Sequence, residues 1–479
     1  MVSLPYDVLH HVVARASPSS YVALCRTTRD LHAMTTPLLF RNIDLDSHQQ
    51  RQAELLLDVL TCSESLGRHV ISFRAYALLD TVATHKVCPA LRKMPRLQHL
   101  DFTGLDAVLE HHMDDVVDIL KGLKDLTSVK CWWIDERDVD IDRMLDALPP
   151  LERLIVDADG HHLAGLHRLL LRSIDTLEYL SSQDYELEVF LTRSDAQGRV
   201  WRRMRELKVI HFRSTRLAHA FPNLTRLYMF GNPPEAESVL WDQNLLPRLE
   251  QLSFPLYGPL PDIALRQDHA RTIPHFDLSI APIASGHFAT ADFLDIMRCL
   301  NWQSLRTLSL WISPESFGAH EAVLDTLPSV FESCSSLRYF GLASGHDDQR
   351  DAMELVSMLH GWILKARQIR FVDVKMAVIL SDMDGNRDRD DPVHAHLAHG
   401  ITTAFDTLEH LRVVQFMVSR HPDEVYWTWT SRGDSPEDGT TARNVDFRAV
   451  IFDRESEQAQ DVLPLPESLS DIVDLVDRA

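Results

Sequence analysis

The sequence predicts an α/β repeat array in which short parallel strands form an inner sheet and helices lie outside it in an open arc. Three observations predict this. A phrase of the form Leu-x-x-Leu-x-apolar recurs along the chain. Most copies stand about 25–32 residues apart, the length of one strand plus one helix. The intervals between copies carry apolar residues at helical spacing. At 479 residues the chain also exceeds what one compact core organises, as expected of an array or of several domains.

The chain opens on a different pattern. Residues 3–16 place Pro5 in the first turn of a helix, where its missing N–H costs nothing, and Asp7 at the positive end of the dipole. Val8, Leu9, Val12 and Val13 then form one apolar stripe. Ser17-Pro18 starts a second helix with Tyr21, Leu24 and Cys25 on its apolar side. Thr28 is placed to cap a third that carries Leu31 and Met34. Pro37 is expected to end it, with Leu38, Leu39, Phe40, Ile43 and Leu45 continuing as an extended apolar segment. Three such short helices cannot bury this surface alone, so some of it must pack on the next domain or on another protein.

The run Leu4-Pro5…Val8-Leu9…Val12, then Leu24-Cys25-Arg26…Leu31, then Pro37-Leu38-Leu39-Phe40-Arg41-Asn42-Ile43 resembles an F-box. It covers about the first tenth of the chain and departs from the family pattern at Ser17-Pro18-Ser19-Ser20. The resemblance implies that Leu4, Pro5, Val8, Leu9, Val12, Leu24, Leu31 and Leu38 dock on a Skp-type adaptor, and through it on a cullin–RING ubiquitin ligase. On residues alone, a helical cap that seals the repeat array is the alternative.

The repeat phrase follows. It reads Leu97-Gln98-His99-Leu100-Asp101-Phe102, starts again at Leu126, and returns as Leu151-Glu152-Arg153-Leu154-Ile155-Val156. Further copies start at Leu177, Leu207, Leu224, Leu249, Leu305, Leu337, Ile369 and Leu408, with weaker ones at Val70–Phe73 and Phe276–Ile280. Alternation turns the leucines to one side of a strand and the intervening residues to the other. Each strand buries its leucines only when a neighbour stacks beside it. Helical faces lie between: Val108, Leu109, His112, Met113, Val116, Val117 and Leu120 in 106–120, with similar segments at 139–148, 236–246, 290–300, 318–332 and 350–365. The Leu207-to-Leu224 step is too short for a full helix, and the Ile369-to-Leu408 step is lengthened by an acidic loop. The whole resembles a degenerate leucine-rich-repeat array.

Near the C-terminus, Val425–Thr430 and Val445–Phe452 are strand-like, separated by the turn-rich 431–440. They are expected to form a hairpin that caps the last repeat, with an acidic tail beyond it. The organisation expected is therefore an F-box-like helical module over 1–46, a leucine-rich-repeat-like solenoid over 47–424, a hairpin cap over 425–453 and a tail over 454–479.

The net charge of -22 disfavours nucleic acid and anionic membranes as partners. The cysteines Cys25, Cys62, Cys88, Cys131, Cys299 and Cys334 form no CxxC pair and read as reduced thiols, mostly in the core. With no apolar leader segment, a cytoplasmic or nuclear protein is expected.

Chemistry-bearing motifs are sparse. His394-Ala395-His396-Leu397-Ala398-His399 fits HxHxxH and suggests a zinc hydrolase as one alternative. The apolar spacing of Leu397, Ile401, Ala404, Phe405 and Leu408 argues instead for a helix, on which His394 points away from His396 and His399. The acidic run from Asp382 to Asp391 has its glycine misplaced for a calcium loop and two interrupting arginines. His111-His112 with Asp114-Asp115 diverge on a helix. The expectation is a non-catalytic receptor without a cofactor or metal. Its client protein would meet the strand residues opposite the leucines: His99, Asp101, Arg153, Tyr179, His211, Arg226, Tyr228, Tyr339, Phe371, Asp373 and Arg412. Trp132, Trp133 and Trp311 are expected just after strands. A stand-alone repeat scaffold is the other alternative.

Overall fold

The structure is a computed structural model of the 479-residue chain. It describes residues 9, 13, 15–16, 18–45, 50–75, 81–102, 106–134, 141–158, 164–182, 187–210, 212, 214–231, 242–256, 271–280, 297, 300–312, 319–346, 365, 368–378, 408, 411, 413–420, 423–431 and 445–452. Contacts divide the chain into two compact units, Met1–Ile210 with His219–Pro222, and His211–Ala218 with Asn223–Ala479.

The first unit opens with α1 (Pro18–Cys25) and α2 (Arg29–Leu39), which pack on one another. Thr28 caps α2, its hydroxyl accepting from the Leu31 N–H at 3.2 Å. Pro37 does not end this helix as the sequence suggests; α2 runs on to Leu39. The proline removes a single bond, to the Ala33 carbonyl, and Ala33 is exposed, so the loss falls on the solvent side of the helix. Leu38 and Leu39 are helical in consequence, and the extended segment starts only at β1 (Asn42–Asp44).

The strands that follow are β2 (Ser72–Ala75), β3 (His99–Phe102), β4 (Ser128–Ile134), β5 (Arg153–Ala158), β6 (Tyr179–Ser182) and β7 (Glu206–Val209). All pair in parallel and in sequence order. Helices α3 (Gln50–Cys62), α4 (Glu64–Gly67), α5 (Thr81–Leu91), α6 (Asp106–Gly122), α7 (Ile141–Ala147), α8 (Ala164–Arg172) and α9 (Leu187–Thr192) form the crossovers that parallel pairing requires. Trp132 and Trp133 fall inside β4, where the register shifts against β5 between Cys131 and Ile134.

Leucine positions stack in register. Leu100, Val129, Leu154, Leu180 and Leu207 pair strand to strand, and each is at most 2% exposed. Each such side chain contributes about 1.5–3 kcal/mol by leaving water, and only because the next strand covers it. One backbone device recurs at strand entry. The Arg41 carbonyl accepts from Ile71 and Ser72, Ile71 from Gln98 and His99, Gln98 from Thr127 and Ser128, Thr127 from Glu152 and Arg153. Glu152 serves Glu178 and Tyr179, and Glu178 serves Arg205 and Glu206, in the same way. At the far end Trp201 is buried between Phe190 and Phe221, its indole N–H donating to the Leu170 carbonyl at 3.1 Å.

The second unit repeats the pattern with β8 (Arg226–Met229), β9 (Gln251–Leu256), β10 (His275–Ile280), β11 (Thr307–Ile312), β12 (Tyr339–His346), β13 (Phe371–Val378) and β14 (Val413–Arg420), all parallel. Leu227, Leu252, Phe276, Leu308, Phe340 and Val372 form its buried ladder. Among the described residues, the short step after Leu207 holds the six-residue α10 (Thr215–Ala220), which straddles the division between the units. A longer helix, α11 (Ala319–Ser333), matches the helical pattern expected at 318–332 to within one residue. The strand-like C-terminal segments are β15 (Asp423–Ser431) and β16 (Val445–Phe452), and the direction reverses there: β14, β15 and β16 pair antiparallel. Arg271 is buried in this unit and donates to the Asp242 and Leu246 carbonyls; burial brings its guanidinium down to about 10.

Candidate interaction surfaces

Two surfaces are built from the residues that the sequence singles out. On the N-terminal helices, Leu9, Leu24, Leu31 and Leu38 are half-buried and Val22 is exposed, whereas Val13 is buried. Leu4, Pro5, Val8 and Val12 lie outside the described residues. The apolar surface of α1 and α2 is therefore shared between the fold and the solvent. Ile43 and Leu45, which follow, are fully in the core.

The second surface is the strand face opposite the leucines. In the first unit one row along it runs Asp44, Arg74, Asp101 and Lys130 on β1 to β4, in register. Their charges alternate, with contacts of 3.7 Å from Arg74 to Asp44, 3.5 Å from Arg74 to Asp101 and 3.1 Å from Lys130 to Asp101. Opposite charges on adjacent strands neutralise one another here. The neighbouring row holds His99 and Arg153, both exposed, then Tyr179 and Glu206. The Arg153 guanidinium lies over the Tyr179 ring, 4.2 Å from its centre, and Lys208 Nζ stands 5.7 Å from the same ring. Burial, aided by Glu206, pushes the Tyr179 hydroxyl up to about 12.

In the second unit this face is more closed. Arg226 and Tyr228 on β8 are half-buried, and the Tyr228 hydroxyl accepts from Gln251 Nε2 at 2.7 Å. Tyr339, Phe371 and Asp373, which the alternation places on the face, are buried there. The physical reason lies at Gly341. A side chain there would stand 3.0 Å from the Tyr339 hydroxyl, so the tyrosine lies along its own strand over the glycine. From there its hydroxyl donates to Asp373 Oδ2 at 3.3 Å. Ser253 Oγ donates to Asp277 Oδ2 at 2.9 Å, and His275 shares a 3.0 Å hydrogen bond with Thr307. Trp311, expected after its strand, is inside β11 and exposed. His211 and Arg412 lie outside the described residues.

His394, His396 and His399 also lie outside them, as does the acidic run from Asp382 to Asp391. Among the described residues no group of three or more His, Cys, Asp or Glu side chains is arranged to hold a metal. Helix α6 kinks at His112, and His112 Nε2 meets His85 Nδ1 at 2.7 Å with the rings edge to face. His85 escaped sequence reading because it lies 27 residues away on α5; only the solenoid's helix stacking brings the two together. Cys25 is half-buried and Cys62 exposed, while Cys88, Cys131 and Cys334 are buried; burial pushes the Cys88 thiol up to about 11 and the other two buried thiols up to about 12. Among the described residues no helix is long and apolar enough to cross a membrane.

No protein-family model matches the sequence. Comparison with curated proteins gave no match. Two solved structures of similar kind are the Toll–Spatzle complex of Drosophila and the leucine-rich repeat-containing protein LegL7 from Legionella pneumophila. The first is 12% identical at a TM-score of 0.32, over 73% of this chain and 44% of that one. This chain thus spans less than half the length of that structure. The second is 13% identical at a TM-score of 0.32, over 76% of this chain and 97% of that one. The architectural assignment rests on the strands themselves: their register, their buried leucines and the repeated carbonyl at strand entry make each unit a leucine-rich-repeat-like solenoid.

Proposed function

We propose that the protein is a substrate-recognition subunit of a Skp–cullin–F-box ubiquitin ligase, non-catalytic itself, acting in the cytosol or nucleus. Its N-terminal helices hold the Skp-type adaptor, and the strand face opposite the leucines holds a client protein. The client is thereby brought near a ubiquitin-charged enzyme, and the protein acts through proximity and orientation. The observation that carries this reading is the apolar surface of α1 and α2, where Leu24, Leu31 and Leu38 are half-buried and Val22 is exposed in the run that resembles an F-box. Partly exposed apolar side chains on paired helices suit a partner's groove.

A second reading, a stand-alone interaction scaffold with a helical cap, is favoured by a different observation. The Arg41 carbonyl serves Ile71 and Ser72 in the manner of the Ile71, Gln98, Thr127, Glu152 and Glu178 carbonyls further along the first unit, so the N-terminal segment flows directly into the array.

Co-purification with the Skp-type adaptor separates the two. The intact chain should retain the adaptor, and a Leu4→Ala, Pro5→Ala, Leu9→Ala variant with unchanged circular dichroism should lose it. Failure of the intact chain to bind would leave the scaffold reading.

A further inference from the structure

Two rows along the strand face of the first unit carry slightly more positive than negative side chains. Along the two in-register rows of β1 to β7 stand four cations, Arg74, Lys130, Arg153 and Lys208, against three carboxylates, Asp44, Asp101 and Glu206. The chain as a whole carries -22. Rows that remain slightly cationic on so acidic a protein favour an anionic partner segment over the rest of the surface.

The cations are not equivalent. Arg74 and Lys130 are engaged in the alternating ladder with Asp44 and Asp101. Lys208 shares Glu206 at 3.7 Å. Arg153 is exposed, and no carboxylate among the described residues pairs with it. It is nonetheless held, because its guanidinium lies 4.2 Å from the centre of the Tyr179 ring. The ring is only 6% exposed, so it is a fixed platform. Stacking orients the planar fork while leaving its N–H edges able to donate, which reduces the entropy lost when an anion binds.

We infer that the Arg153–Tyr179–Lys208 patch on β5 to β7 is the anchor for a carboxylate-rich segment of the client protein. This rests on the reading of that face as the client surface. One uncommitted guanidinium matches one carboxylate in a two-bond fork. A phosphate brings nearly two charges beside the Glu206 carboxylate, so a singly charged Asp or Glu side chain meets less repulsion there and is the better fit. Strands stand about 4.8 Å apart, so β5 to β7 offer a run of about 10 Å, the span of three residues of extended peptide.

The experiment uses the full chain and a fluorescein-labelled peptide of alternating Glu and Gly, read by anisotropy at low and at moderate salt. The intact chain should bind it, more weakly as salt rises, and should not bind the Gln counterpart. Arg153→Gln should weaken binding roughly tenfold. Arg96→Gln, the same charge change at an exposed position outside these rows, should leave it within about twofold. Absence of peptide binding, equal binding by the two variants, binding of the Gln peptide, or binding only of a phosphoserine version would each overturn the inference. Adaptor co-purification by Arg153→Gln should be unchanged, so failure here is distinguishable from failure of the ligase reading.

Discussion

Asp277 on β10 accepts from Ser253 Oγ and is hydrogen-bonded by Ser309 on the other flanking strand. Those hydroxyls lower its proton affinity, but burial outweighs them and raises it above the ordinary carboxylate range. The folded value therefore lies above the unfolded one. Its contribution to stability is greatest below the unfolded value and is lost as pH rises through the folded one. Asp277→Asn removes that loss. The variant should gain stability relative to the parent as pH rises from about 4 to about 7, read as urea midpoints. A parallel pair of pH profiles would contradict this. Gly67 shows another residue-scale constraint. A Cβ there would stand 2.1 Å from the Lys93 carbonyl oxygen, so Gly67→Ala should cost about 2–3 kcal/mol or more in unfolding free energy. Neither could be read from the sequence: strand alternation places Asp277 opposite Phe276 and Leu278 without showing the hydroxyls on its flanking strands, and the carbonyl that crowds Gly67 lies in the next repeat. Tyr339 was placed on the correct row by alternation, yet its burial depended on the absence of a side chain at Gly341.

Strands were the most legible elements. Their leucines are bounded by the simple requirement that a two-sided parallel strand bury one face against its neighbours, and the Leu97, Leu151 and Leu305 phrases all became strands at their second leucine. Leu154→Ala should cost about 2–5 kcal/mol, because the ladder around it has no slack to fill the cavity. Hydrogen exchange should rise in β4, β5 and β6 and remain near parental in β1 and β2, since repeats couple chiefly to their neighbours. Uniform loosening of the first unit would show that it unfolds as one block. Helices were less legible. The six-residue α10 is too short to stand on propensity and is held by tertiary packing, and α2 passes through Pro37 because only one exposed carbonyl loses its donor. The kink of α6 falls at His112, the residue that meets His85 of another repeat, a contact no local pattern marks.

At the scale of the molecule, two distinct surfaces lie on one chain. An apolar helical surface precedes the repeats, and a strand face with an unpaired, stacked arginine lies within the first of the two units. Sequence alone suggested both regions, through the order of the F-box-like run and the alternation within strands. It did not reveal that Arg74 and Lys130 pair with carboxylates while Arg153 lies over a tyrosine ring, because pairing across strands depends on register between residues about 25–30 apart in the chain.

The most direct test is hydrogen–deuterium exchange of the full chain with and without the Skp-type adaptor at saturating concentration. The account predicts slower exchange in α1 and α2, with β3 to β7 unchanged. Unaltered exchange in both helices, or protection concentrated along the strands, would contradict it.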